Sequence, residues 1–188
     1  MPMNLIHRRV CNSDRWARAV EDQLLPWALE GVEFGSETLE IGPGYGATTH
    51  VLLRLAERLT ILEVDRDSAK RLVDRYGDRA EVVHGDGADM PLPDGRFDSV
   101  VCFTMLHHVP SPALQDRLFA EARRVLRPGG VFAGCDALGG WRFRMIHIRD
   151  TCVVVPVETL AARLRAAGFD EPEITTGVGS FRFRARRS

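Results

Sequence analysis

Between residues 12 and 31, the apolar Trp16, Val20, Leu24 and Trp27 recur at three- and four-residue spacing among charged positions. This predicts an amphipathic helix, capped by Asn12 or Ser13 and kinked or divided at Pro26. Further on, short apolar runs alternate with helical periodicity. Strands are predicted at 38–41, 59–64, 80–84, 97–103 and 131–136, with helices at 48–58, 67–76 and 111–127 between them. Such an order calls for a parallel sheet with helices on both faces. A helix at 158–167 ends at Gly168. Two strands, 173–177 and 180–186, then follow too closely for a crossover helix, so they are expected to be antiparallel. The connection 136–156 shows no period, and a length of this kind is either functional or ordered by short elements.

The first strand runs into Glu40-Ile41-Gly42-Pro43-Gly44-Tyr45-Gly46. Glycine at every second position lets the backbone turn tightly and bring its N–H groups against a ligand. The dinucleotide fingerprint spaces its glycines differently, as G-x-G-x-x-G, and its helix receives a pyrophosphate. Here Glu40 precedes the turn; its carboxylate would repel a pyrophosphate but suits an ammonium or a sulfonium. No G-K-[ST] follows, so a phosphate loop is unsupported.

Composition narrows the picture. With 188 residues, 45% of them hydrophobic, a single domain is expected. Its parts are an N-terminal helical extension or lid (1–35), a ligand-binding core (36–136), a substrate loop (137–155) and a C-terminal helix and hairpin (156–188). A net charge of −1 argues against a dedicated nucleic-acid binder. Cys11, Cys102, Cys135 and Cys152 form no C-x-x-C pair, so free thiols are expected. The start shows no apolar segment for export or a membrane span, which leads to a cytoplasmic reading with no membrane partner. Lys70 is the lone lysine among many arginines, a bias that suggests a high-GC bacterial genome. No metal constellation stands out, and no metal is expected; Asp136, His147 and Asp150 are the nearest approach to one.

The motifs in order resemble the class I S-adenosylmethionine-dependent methyltransferases, in their small-molecule branch. The resemblance rests on Leu39-Glu40-Ile41-Gly42-x-Gly44-x-Gly46, on Glu63 at the end of the second strand and on Gly85-Asp86-Gly87-Ala88 after the third. Leu92-Pro93-Asp94-Gly95-Arg96-Phe97-Asp98, Met105-Leu106-His107-His108-Val109 and Arg124-Val125-Leu126-Arg127-Pro128-Gly129-Gly130 complete it. It implies a Rossmann-like three-layer sandwich whose mostly parallel seven-stranded sheet has the order 3-2-1-4-5-7-6, with the last strand antiparallel. It also implies S-adenosyl-L-methionine as cofactor. Glu40, Gly42, Gly44, Tyr45 and Gly46 would then face its methionine part, and Glu63 with Val64 its ribose, Asp65 being the competing acid. Asp86, Gly87 and Ala88 would face the adenine, with Phe103 and Thr104 beside the cofactor. Asp65, Asp94 and Asp98 are otherwise read as solvated loop acids.

Methyl transfer to a hydroxyl needs positioning and a base. His107 or His108 is the expected base, with Asp136 orienting it or the substrate, although either histidine also suits a role tying loops together. His7, Trp16, Trp141 and His147 are the expected substrate contacts, with Arg142 and Phe143 beside them. The acceptor is expected to be a small molecule, and the protein a monomer or homodimer. The place after the fourth strand reads Cys102-Phe103-Thr104-Met105-Leu106 and lacks the motif of base-amine methyltransferases. The readings left open are an rRNA or other nucleic-acid methyltransferase, a nicotinamide-dependent oxidoreductase and a non-catalytic S-adenosylmethionine-binding protein.

Overall fold

Alternating burial along the strands builds the core. The computed structural model describes residues 4–188, and only the backbone of Leu5, Ile6 and Arg142. Seven strands, β1 (Glu37–Ile41), β2 (Arg58–Glu63), β3 (Glu81–His84), β4 (Phe97–Phe103), β5 (Leu126–Ala137), β6 (Asp170–Thr176) and β7 (Ser180–Arg186), lie in the order β3-β2-β1-β4-β5-β7-β6. The first five pair in parallel; β7 runs antiparallel to both β5 and β6, as the sequence led us to expect. Leu39, Ile41, Val100, Cys102 and Phe132 turn to one face of the sheet, where the helices Pro112–Val125 (α6) and Val157–Ala166 (α8) cover them. Ile61, Val101, Phe103 and Ala133 turn to the other face, under the helices Ala47–Leu55 (α4) and Arg66–Tyr76 (α5). Period-two alternation thus feeds two separate cores.

The N-terminal segment departs from the expected single helix. Asn4 caps an additional helix, α1 (Leu5–Cys11), by accepting from the His7 N–H. Ser13 caps α2 (Asp14–Ala19), a π turn follows at Val20–Leu24, and α3 (Leu25–Ala28) holds Pro26 in its first turn. Proline has no N–H to give the preceding turn, and the break is taken up by the wider turn, in which Leu25 N–H reaches Val20 O. Buried Val20, Leu25 and Ala28 pack the π turn and α3 against the second core, and the Arg182 guanidinium donates to Trp27 O. This part covers the sheet.

Two other boundaries moved. Strand β5 begins at Leu126, since Phe97 pairs with Leu126 before the register jumps to Ser99 and Val131 across the glycine turn at 129–130. The connection 137–156 contains a further helix, α7 (Trp141–Ile146). Asp98 is not a solvated loop acid: its carboxylate accepts from Ser36 N, Ser36 Oγ and Glu37 N, each at 2.9 Å, and pairs with Arg127 at 2.7 Å. Asp94 pairs with Arg124, and all four cysteines are free thiols.

Candidate functional site

The carboxyl ends of β1 to β4 open on a cavity of about 230 Å³. At its floor the glycine turn leaves β1 with Gly42, Gly44 and Gly46 all at positive φ (64°, 59° and 78°), which a side chain would resist. A Cβ on Gly46 would lie 2.8 Å from the Tyr76 ring, whereas one on Gly44 would meet no protein atom within 4 Å. Gly44 therefore offers its backbone to the cavity it lines, with space for a ligand to approach.

Glu63 ends β2 as a buried acid on the cavity wall. One of its carboxylate oxygens accepts from Gly44 N at 3.1 Å and the other from Asp65 N at 2.9 Å. These bonds orient the group while leaving lone pairs for hydroxyl donors. Asp65 also lines the cavity, but its carboxylate caps α5 by accepting from Ser68 N at 2.9 Å. Asp86, with Gly85 and Gly87, forms the wall beyond β3, and its Oδ1 accepts from Ala88 N at 2.9 Å.

Glu40 lies beneath the turn, 1% exposed, and does not line the cavity. The Thr48 and Thr49 hydroxyls donate to its two oxygens at 2.5 and 2.6 Å. Burial pushes its pKa up to about 7 against the pull of those two hydroxyls, with nearby Glu63 adding to the rise.

Strand β4 leaves the sheet through Thr104, a non-glycine residue at φ 50° whose N–H bonds Cys135 O. That turn sends Met105, His108 and Val109 along the cavity. Behind them His107 is fixed: Asp136 accepts from its backbone N–H at 3.0 Å and from Nδ1 at 2.6 Å. The roof comes from far away in the chain. Asp150 and Thr151 line the cavity, and Asp150 takes the Asn4 N–H at 2.6 Å and His7 Nδ1 at 2.9 Å, drawing α1 over the site. Arg8 donates to the Tyr45 hydroxyl at 3.1 Å, joining α1 to the glycine turn.

Four imidazoles meet under this roof, with ring centroids of neighbouring pairs 4.1 to 5.4 Å apart. His108 Nδ1 donates to Thr151 O at 3.1 Å and His147 Nδ1 to Phe143 O at 2.7 Å, since a carbonyl only accepts. Burial, with the adjacent histidines, depresses His108 to about 3 and also lowers His147, so both rings are neutral with the lone pair on Nε2. His147 Nε2 lies 3.1 Å from His107 Nε2, so the two rings meet edge to face behind the cavity.

The structure thus brings Gly42, Gly44, Glu63, Val64, Asp86, Gly87 and His108 to one cavity, with His107, Asp136, His7 and His147 behind its wall. Other expected contacts fall elsewhere. Phe103 is buried in the sheet core, and Tyr45, Gly46, Ala88 and Thr104 do not line the cavity. Trp16 packs against the second core, because α2 lies against α4, and Trp141 is 72% exposed and off the cavity. The Arg142 side chain lies outside the described residues. Sequence reasoning missed Met105, Leu114, Leu118 and Thr151; only Met105, two residues past β4, carried a positional signal.

Fold and cavity together define a Rossmann-like α/β protein with an acid-lined ligand site at the carboxyl ends of its strands. Residues 39–134 match the family model described as a methyltransferase domain. A probable S-adenosylmethionine-dependent methyltransferase of Mycolicibacterium smegmatis is 37% identical over 98 residues, covering 52% of this chain and 37% of that protein. The malonyl-acyl-carrier protein O-methyltransferase of Geobacter sulfurreducens is 36% identical over 141 residues, covering 69% and 50%. In fold, the chain is similar to a Thermotoga maritima S-adenosylmethionine-dependent methyltransferase described as a possible histamine N-methyltransferase, with TM-score 0.75, 20% identity and coverage of 97% and 98%. The chain belongs to the class I S-adenosylmethionine-dependent methyltransferases. It spans half or less of the length of these two curated relatives. The donor set fits the cofactor: a glycine turn with room above Gly44, and acids ending β2 and following β3. No helix among the described residues is long and apolar enough to cross a membrane.

Proposed function

We propose that the protein transfers a methyl group to a hydroxyl of a small-molecule acceptor. The observation that carries this reading is that His108 lines the same cavity as Glu63, with Nδ1 committed to Thr151 O and the Nε2 lone pair left over. S-adenosyl-L-methionine supplies the methyl group from its sulfonium. Glu63 accepts from the ribose hydroxyls and Asp86 from the adenine amino group. Gly42 and Gly44 meet the methionine part, with the Glu40 charge beneath them. His108 Nε2 takes the acceptor proton as the oxygen attacks in line, and the apolar wall of Met105, Val109 and Leu114 keeps water away. His107 and Asp136 act through position, holding the loop after β4. The O-methyltransferase among the relatives agrees with an oxygen acceptor.

The experiment is methyl transfer from labelled S-adenosyl-L-methionine to a library of phenols, hydroxy acids and carboxylic acids. A thermal shift with S-adenosylhomocysteine, and with NAD as control, runs beside it. Stabilisation by S-adenosylhomocysteine alone, with label in a hydroxyl compound, is the expected result. Stabilisation with no transfer to any acceptor would point to a binding protein, and label entering RNA would overturn the small-molecule reading.

A further inference from the structure

His7, His108 and His147 come from α1, from the loop after β4 and from the end of α7, and among the described residues each offers a ligand atom within 4.8 Å of the other two. Their second nitrogens are all engaged in the manner of metal ligands. His7 Nδ1 meets the Asp150 carboxylate at 2.9 Å, His108 Nδ1 meets Thr151 O at 3.1 Å and His147 Nδ1 meets Phe143 O at 2.7 Å. A histidine that ligates a metal almost always gives its other N–H to a carboxylate or a carbonyl, which sets the tautomer and aims the remaining lone pair. Three such rings, converging from segments up to 140 residues apart in sequence, exceed what is needed to tie loops together.

We propose that His7, His108 and His147 bind one divalent cation of the zinc class through Nε2, with a fourth position open toward the cavity. Three imidazoles and one exchangeable position form a common catalytic zinc set. A tetrahedral ion with bonds of about 2.0–2.1 Å needs its nitrogens roughly 3.4 Å apart, so modest ring rotations close the site. The hydrogen bond between His107 and His147 is given up when the ion takes His147 Nε2. Asp136 continues to hold His107 behind the site. Of the three rings, His108 lines the cavity, so an open position toward it would be reached from there. Its use toward an acceptor rests on the methyltransferase reading above: with His108 Nε2 engaged as a ligand, the cation would take over from the free imidazole the task of acidifying an acceptor hydroxyl, whose proton would leave to water. This departs from the expectation of no metal, which rested on the absence of a short ligand motif.

Protein stripped with a chelator and titrated with cobalt(II) and zinc(II) tests the site. One equivalent of cobalt is expected to give intense tetrahedral d–d bands that zinc abolishes and that azide shifts by entering the open position. His7→Gln and His147→Gln should each weaken cobalt binding at least tenfold, while His50→Gln, at an exposed position of α4, leaves it unchanged. The S-adenosylhomocysteine thermal shift, measured on every variant, reports folding and the cofactor reading independently. The metal proposal is overturned if the wild type gives no stoichiometric cobalt bands, or if the bands persist in both histidine variants. Loss of the thermal shift in the wild type would instead count against the cofactor reading and leave the metal result standing.

Discussion

Gly44 donates its backbone N–H to Glu63 across 3.1 Å, which makes the glycine turn after β1 and the acid ending β2 a single unit. Replacing Glu63 by Ala strips the acceptor from the Gly44 and Asp65 N–H groups and removes the proposed partner of the ribose hydroxyls. Hydrogen bonds to a charged group are worth about 1.5–3 kcal/mol each, so S-adenosylhomocysteine affinity should fall on the order of 100-fold. Titration calorimetry checks this. Glu63→Gln should lose less, since one oxygen still accepts.

The three glycines of the turn should separate stability from binding. Gly46→Ala forces a Cβ to 2.8 Å from the Tyr76 ring at φ 78°, and should cost about 1–3 kcal/mol of folding stability. Gly44→Ala meets no protein atom, so its melting temperature should fall less while its affinity for S-adenosylhomocysteine falls more. The same order of effects in melting and in binding, with Gly46→Ala worse in both, would contradict this division.

Asp98 gives the acid side of the stability profile. Burial opposes its charge, but donors from Glu37, Arg127 and Ser36 outweigh that and hold it at about 2, below the ordinary 3.8. The unfolded chain therefore binds the proton first. Stability from this group is full above pH 3.8 and is lost as the pH falls through about 2. At pH 7, Asp98→Asn should lower the melting temperature by roughly 3–8 °C, and the difference from wild type should shrink toward pH 2 in thermal scans.

What could be read from the chain follows from how local the determinants are. The strand ending in Glu40, the glycine turn and the acids at 63 and 86 are contiguous signals, and strand order follows once the family resemblance is seen. Asp98 looked like a loop acid because its donors Ser36 and Arg127 lie 62 and 29 residues away. The roof was hidden for the same reason. His7 meets Asp150 across 143 residues, and no periodicity in 137–156 betrays a short helix held by such contacts. Trp16 and Trp141 were drawn to the pocket by residue type alone; the packing of α2 against α4 decided the first of them otherwise.

Glu40 provides a pH test of the charge beneath the glycine turn. In the fold its pKa is about 7, chiefly through burial, while in the unfolded chain it is near 4.5. Below pH 4.5 both states hold the proton and the group contributes no difference. Between 4.5 and 7 the unfolded chain ionises while the fold retains the proton, so the native state binds more protons and stability falls as the pH rises. Above 7 both are ionised and the loss is complete, on the order of 3 kcal/mol. Glu40→Gln keeps an acceptor for Thr48 and an amide that can donate to the Thr49 oxygen, but it cannot ionise. Its melting temperature should fall less than that of the wild type between pH 5 and 8. A ligand ammonium above the turn favours the ionised acid, so S-adenosylhomocysteine affinity should rise across this window in the wild type and stay flat in Glu40→Gln. Parallel curves for the two proteins, in both melting and binding, would show that Glu40 does not titrate between pH 5 and 8.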